Sequence, residues 1–370
     1  MLKPAPSTAP ESKASSHALL PYDPGQSVEA LRRTYPAMDF IRLSANENPL
    51  GPGPMARQAL QRMPQVSRYP DPAGHELKAA LAAHLGVAEG QIILGNGSAE
   101  VLSLLARTFL ERGDAMVTHQ YAYSLFAILA RTAGAACHEV PAQGWQPDLP
   151  AMARAVDRNT RLVLLANPNN PTGTWISQRQ LDAFLGRIPA EVPVVVDEAY
   201  LEYATAGAFP DTVALQGKYP NLVITRTFSK AHGLAGLRIG YGIAREEIVA
   251  QVERLRLTFN INSIAHPVAL AALQDQAHVA RSREHNARER AKVQQRLSEL
   301  QLQAIPSMGN FLAIDFNRPA KPIFNQLLQR GILARPLASY NMPNHLRVSL
   351  GTGKENQRLL ALLEELLPKP

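Results

Sequence analysis

The strongest constraint in the sequence is a succession of short apolar runs set between helical patterns. Ile92-Ile93-Leu94, Ala115–Thr118, Leu162–Ala166, Val194–Val196 and Leu222–Ile224 are each too short for a helix and bounded as strands are. Around them, Glu76–Leu85 places Leu77, Ala80, Leu81 and Leu85 on one helical face, with Gly86 as a stop. Ser98 is positioned to cap a helix carrying Val101, Leu104, Leu105 and Phe109. Ser177 and Gln180 form a capping box ahead of Leu181 and Phe184. Strands that are apolar throughout must be covered on both faces, and the intervening helices supply the cover. The pattern predicts an α/β fold with a mainly parallel central sheet and helices on both faces.

Near residue 245 the pattern changes. Glu246–Leu302 is helical in composition, broken near Asn260–Pro267, and Phe311–Ile314, Ile332–Ala334 and Leu346–Val348 are strand candidates. This tail predicts a smaller α+β unit.

Composition narrows the function classes. Over 370 residues, 46% hydrophobic and 19% charged, there is material for a large core, which excludes disorder of the whole chain. A net charge of +7 on that length does not signal nucleic acid and suits an anionic small ligand. No run reaches the ~18–20 apolar residues of a membrane helix. Met1–His17, rich in Pro, Ser, Ala and Lys, reads as a disordered arm and not as a signal peptide. Cys137 is the single cysteine, so neither an intrachain disulfide nor a multi-cysteine metal site is expected, and a reducing cytoplasm is.

In α/β sheets ligands bind at the carboxyl ends of the strands, so the residues following each run carry the functional argument. Gly95-Asn96-Gly97-Ser98 enters a helix, where backbone N–H groups can meet a phosphate or simply make a tight turn. Asn167-Pro168-Asn169-Asn170-Pro171 is a rigid turn able to fix an amide in place. Asp197 ends an apolar strand, where a carboxylate needs a cationic partner or its pKa rises. Thr227, Ser229, Lys230 and Arg238 follow the last run on a glycine-punctuated segment. Hydroxyls and Arg bind phosphate; the lysine is a point charge or, with its pKa lowered, a nucleophilic amine. An anion cradle, a fixed amide, a buried carboxylate and a lysine together match the needs of pyridoxal phosphate. A dinucleotide fold is disfavoured because Gly95-Asn96-Gly97 lacks the third glycine of that fingerprint.

With those residues in view, the sequence resembles the fold-type I, pyridoxal-phosphate-dependent aminotransferases of class I/II, most nearly the histidinol-phosphate aminotransferase group. The likeness is carried by Leu43-Ser44-Ala45-Asn46-Glu47-Asn48-Pro49-Leu50-Gly51, Arg68-Tyr69-Pro70-Asp71, Ser229-Lys230-Ala231-His232-Gly233-Leu234-Ala235-Gly236-Leu237-Arg238 and Leu346-Arg347-Val348-Ser349. It implies that Lys230 bonds the cofactor and moves a proton, and that Asp197 pairs with the ring nitrogen. It gives Tyr200 and Asn170 to the ring oxygen and Tyr123 to the ring face. Ser98, Ala99, Thr227, Ser229 and Arg238 would hold the phosphate, with Tyr69 reaching across a homodimer to the neighbouring subunit's cofactor. Arg347 would hold the substrate α-carboxylate beside Asn46, and Arg335 and Tyr22 a distal phosphate. The implied division is an N-terminal arm at 1–27, a small α+β domain from 28–48 with 264–370, and a large pyridoxal-phosphate domain at 49–263. The implied reaction exchanges the amino group of histidinol phosphate with 2-oxoglutarate, in the cytoplasm, without metal, nucleic acid or membrane. An aromatic amino acid aminotransferase is the alternative on the same scaffold, and a threonine-phosphate-type decarboxylase a further one. Three positions depart from the group: Ala99 in place of an acid or amide, His232 where an aromatic is common and read as packing, and Thr258 where relatives often carry proline.

Overall fold

The computed structural model describes residues 27–62, 66–204, 207 and 209–367. Residues 1–26 of the expected arm, Tyr22 among them, therefore lie outside the described residues. Seven strands form the main sheet: β1 (Ile92–Gly95), β2 (Ala115–His119), β3 (Ala136–Val140), β4 (Thr160–Ala166), β5 (Val194–Asp197), β6 (Leu222–Thr227) and β7 (Gly240–Ile243). Their order across the sheet is β1-β7-β6-β5-β4-β2-β3. β2 to β6 run parallel, and β7 is antiparallel to both β1 and β6.

The apolar runs became strands because their residues alternate between two cores. Leu94, Val163, Leu165, Val194, Val196 and Ile224 face one, and Ile93, Leu162, Leu164, Val195 and Val223 face the other. Two strands gave no such signal. β3 is an edge strand with mostly exposed or half-exposed residues. β7, Gly-Tyr-Gly-Ile, is glycine-rich because a helix end crowds it: a methyl group on Gly240 would overlap the backbone nitrogen of Ser98.

Helix α1 (His75–Leu85) stops at Gly86, which is left-handed at φ +70°. Helix α2 (Ser98–Phe109) starts one residue earlier than a Ser98 cap requires. Gly97 is the cap residue, and no side chain caps the helix, which leaves its first N–H groups facing the sheet edge. Helix α3 (Gln178–Leu185) has the expected Ser177–Gln180 capping box. The helical stretch after residue 245 comprises α4 (Glu246–Glu253), α5 (Ala265–Gln274) and α6 (Gln276–Glu299), with Pro267 tolerated in the first turn of α5. Helix α5 packs into the first of the two main cores.

The tail forms a four-stranded antiparallel sheet of β8 (Gln303–Ala304), β9 (Phe311–Asp315), β10 (Arg335–Pro336) and β11 (His345–Ser349), in the order β8-β9-β11-β10. It has its own apolar core, which includes Leu43, Leu312, Ile314, Leu346 and Val348. No helix among the described residues is long and apolar enough to cross a membrane.

Candidate active site

Strand register brings the sequence-predicted residues to one edge. Ala166, Asp197 and Thr225 are successive partners across β4, β5 and β6, and Gly95, Gly240 and Thr227 are partners across β1, β7 and β6. The loops leaving these strands enclose a cleft of about 490 Å³, closed on its far side by the small sheet. Ser98, Ala99, Tyr123, Asn170, Asp197 and Tyr200 line it from the large sheet. Thr227 at the end of β6 lines it with Ser229, Lys230 and Arg238 beyond, and Asn46, Arg335 and Arg347 line the opposite wall. Tyr69 is not among them: it is 80% exposed and stacks on Phe259 with ring centres 4.4 Å apart.

At one end of the cleft is an anion cradle. The backbone of Ser98 and Ala99 opens α2, and Thr227 accepts from the Ser229 amide at 3.1 Å. Arg238, itself left-handed at φ +54°, donates to Ser229 Oγ at 3.3 Å. Gly97 has φ +80°, and a methyl group there would stand 2.5 Å from the Arg238 guanidinium. Glycine at 97 and 240 thus keeps the helix end and the guanidinium within reach of one anion.

Below the floor, Asp197 accepts a hydrogen bond from Thr225 Oγ1 at 2.9 Å. Burial pushes its pKa up to about 6, against the pull of Thr225 and Lys230. Its neighbour Glu198 points the other way and is taken by Arg226, at 2.9 and 2.8 Å, and by Thr212. The structure thereby separates the two adjacent carboxylates, and withdraws Arg226 from the cleft.

Lys230 Nζ donates to the Ala45 carbonyl at 3.0 Å and lies 5.6 Å from the centre of the Tyr200 ring. Burial, then the nearby Arg347, lower its pKa to about 7, with Glu47 acting in the opposite direction. Tyr200 is pushed up to about 12 by burial and so stays protonated. Asn167 and Asn169 hold the Asn-Pro turn from inside. Asn167 bonds Ile176 in both directions, and Asn169 donates to the Tyr121 carbonyl and Thr172. This leaves Asn170 to face the cleft.

Arg335 and Arg347 are paired residues on adjacent strands β10 and β11. Cross-strand partners project to the same face, so two guanidinium groups enter the cleft together. Arg347 donates to Asn170 Oδ1 and, at 2.6 Å, to the Ser44 carbonyl, and it lies 5.5 Å from the centre of the Phe311 ring. Arg42, Glu47 and Tyr340 also line the cleft and were not anticipated. Glu47 lies within the quoted 43–51 motif, whereas Tyr340 sits in a short turn with no motif of its own. Its hydroxyl donates to Ser124 Oγ at 3.1 Å. His232 is buried, lies 4.8 Å from the Phe228 ring and is held at about 4 by burial, in keeping with packing. Among the described residues no group of His, Cys, Asp or Glu could hold a metal ion.

The family model for aminotransferase class I and II matches residues 38–363. Histidinol-phosphate aminotransferase 1 of Nitrosococcus oceani is 44% identical over 355 residues, covering 96% of each chain. Histidinol-phosphate aminotransferase 2 of Pseudomonas fluorescens is 45% identical over 95% of this chain and 96% of its own. Among solved structures, a histidinol-phosphate aminotransferase of Sinorhizobium meliloti in complex with pyridoxal-5'-phosphate superposes with a TM-score of 0.89 at 31% identity, over 98% of this chain and 100% of that one. An aspartate aminotransferase of Thermus thermophilus, at 22% identity and a TM-score of 0.85, shares the fold. The chain belongs to the class I and II aminotransferases and has their fold-type I architecture, so it is an aminotransferase.

Proposed function

We propose that the protein holds pyridoxal 5'-phosphate in this cleft and exchanges the amino group of L-histidinol phosphate with 2-oxoglutarate, giving imidazole-acetol phosphate and L-glutamate. The observation that carries the reading is the convergence on one cleft of a depressed lysine, a buried carboxylate and an anion cradle, faced by the Arg335–Arg347 pair. The substrate is taken from the relatives that share most of its length.

The residues fit the cofactor by their chemistry. The α2 N-terminus with Thr227, Ser229 and Arg238 would hold its phosphate. Asp197 would face the ring nitrogen, whose positive charge would offset the burial of this carboxylate. Tyr200, a donor at neutral pH, would reach the ring oxygen; so would Asn170, whose Oδ1 is engaged by Arg347 and whose amide hydrogens remain for the cleft. Tyr123 would cover the ring. When bound, pyridoxal phosphate supplies an electron sink for the charge left at the substrate α-carbon.

With its amine near neutrality, Lys230 takes the α-proton as a general base and returns it as an acid. Arg347 holds the α-carboxylate of glutamate or 2-oxoglutarate in a fork, beside Asn46. Arg335 holds the distal phosphate. Both substrates are anionic, and an enzyme that must accept each in turn gains from two adjacent guanidinium groups. Tyr69, exposed and outside its own cleft, is assigned to the cofactor phosphate of a second copy in a homodimer. The enzyme is placed in the cytoplasm, consistent with its single cysteine.

Purified protein supplied with L-histidinol phosphate and 2-oxoglutarate is expected to form glutamate, and Lys230→Ala to form none and to lose the cofactor's visible absorption band. Glutamate formation at the wild-type rate by Lys230→Ala would overturn the mechanism, and carbon dioxide release in place of amino transfer would overturn the reaction.

A further inference from the structure

Asn46 joins the small sheet to the edge of the large one. It is 1% exposed and left-handed at φ +55°. Asn310 holds it there by donating its amide to the carbonyls of Asn46 and Glu47 at 3.0 and 3.2 Å. The Asn46 backbone N–H donates to Ser349 Oγ at 2.8 Å, and the Ser349 hydroxyl donates to Asn46 Oδ1 at 3.0 Å. Asn46 Nδ2 then donates to the Tyr200 hydroxyl at 2.9 Å.

The direction of the chain turns on the Asn46 amide, whose oxygen is the acceptor of the Ser349 proton and whose nitrogen donates to Tyr200. Ser349 Oγ accepts from the Asn46 backbone N–H, and its own proton goes to the amide oxygen. That turns the amide nitrogen towards Tyr200. Tyr200 accepts, and its own O–H proton is left to point into the cleft. With the amide turned over, the buried Ser349 proton would lose its acceptor, and Tyr200 would give its proton to Asn46.

We propose that Ser349, acting through Asn46, is a positioning residue that keeps the Tyr200 hydroxyl a donor towards the ring oxygen of pyridoxal phosphate. The inference rests on the assignment of Tyr200 made above. It links two walls of the cleft: Ser349 lies two residues after Arg347 on β11, so the strand presenting the carboxylate-binding arginine also sets the proton direction of a cofactor ligand. Lys230, Arg347, Asp197 and Tyr340 are the other titratable or charged groups facing Tyr200.

The test is a spectrophotometric pH titration of the cofactor's visible band in the holoenzyme. A hydrogen bond donated to the ring oxygen draws off negative charge that otherwise retains the neighbouring proton, so its loss moves the midpoint upward. Tyr200→Phe is expected to raise the midpoint by about one pH unit and Ser349→Ala by about half a unit. Ser349→Cys, which fills the same space with a poor donor, is expected to shift it as Ser349→Ala does, and Ser349→Thr to restore the wild-type value. Combining Ser349→Ala with Tyr200→Phe should shift it no further than Tyr200→Phe alone. A shift in Tyr200→Phe with none in Ser349→Ala or Ser349→Cys, or additive shifts in the double variant, overturns the inference alone. No shift in Tyr200→Phe overturns the assignment of Tyr200 and the inference with it.

Discussion

Asp197 and Lys230 are shifted by the same cause in opposite directions, since burial disfavours the charged form of each. The sign of each effect on stability follows. Asp197 has a folded pKa of about 6 against an ordinary 3.8. Its contribution is fully present below the lower value and is lost as pH rises through the upper one. Lys230, at about 7 against 10.5, makes stability rise with pH between those values. The cofactor-free Asp197→Asn protein should therefore melt higher than wild type at pH 8, by an amount on the order of 2–3 kcal/mol, and show no gain near pH 4. Its affinity for pyridoxal phosphate should fall. Equal melting temperatures at pH 8, or the same gain at both pH values, would contradict this account. At this scale the sequence was informative where a residue ends an apolar run or lies in a dense motif, as Asp197 and Lys230 do. Tyr340 and Arg42 reach the cleft through tertiary packing, and no motif of their own marks them.

Among the elements, the antiparallel strand β7 determines how closely the phosphate-facing helix α2 can approach the sheet. Gly240→Ala would drive a methyl group against the backbone at Ser98 and push the helix end outward. It removes no ligand, yet the affinity for pyridoxal phosphate should fall at least about ten-fold, the equivalent of one hydrogen bond to a charged group. Equilibrium titration of the cofactor-free protein checks this, and an unchanged dissociation constant would show that the helix end does not hold the phosphate. The parallel strands were legible because burial on both faces demands unbroken apolar runs. β7 was not, since its glycines answer to a helix distant in sequence. β3, though parallel, was not either, because at the sheet edge its residues are mostly exposed and carry no unbroken apolar run. The start of α2 was misplaced by one residue for a related reason: the hydroxyl of Ser98 suggests a cap, whereas the tight, left-handed turn needs Gly97 in that position.

For the whole molecule, the assignment of Tyr69 requires two chains to complete one site. Mixed refolding of Lys230→Ala with Tyr69→Ala then yields hybrid dimers in which one site carries both defects and the other carries none. From two inactive parents, a random mixture should regain up to about a quarter of wild-type activity. No recovery in hybrids shown to form would place Tyr69 outside the partner's site. The mainly parallel sheet covered on both faces and the smaller α+β unit after it could be anticipated from the order of elements, and the pairing of Arg335 with Arg347 could not, because it depends on strand register. That pair bears on the central claim, that this aminotransferase acts on a phosphorylated amine and not on an aromatic amino acid. The direct measurement is kcat/KM for L-histidinol phosphate and for L-phenylalanine, each with saturating 2-oxoglutarate. A site built to bind the distal phosphate should favour histidinol phosphate by at least about a hundred-fold. Equal values, or a preference for phenylalanine, would contradict the account.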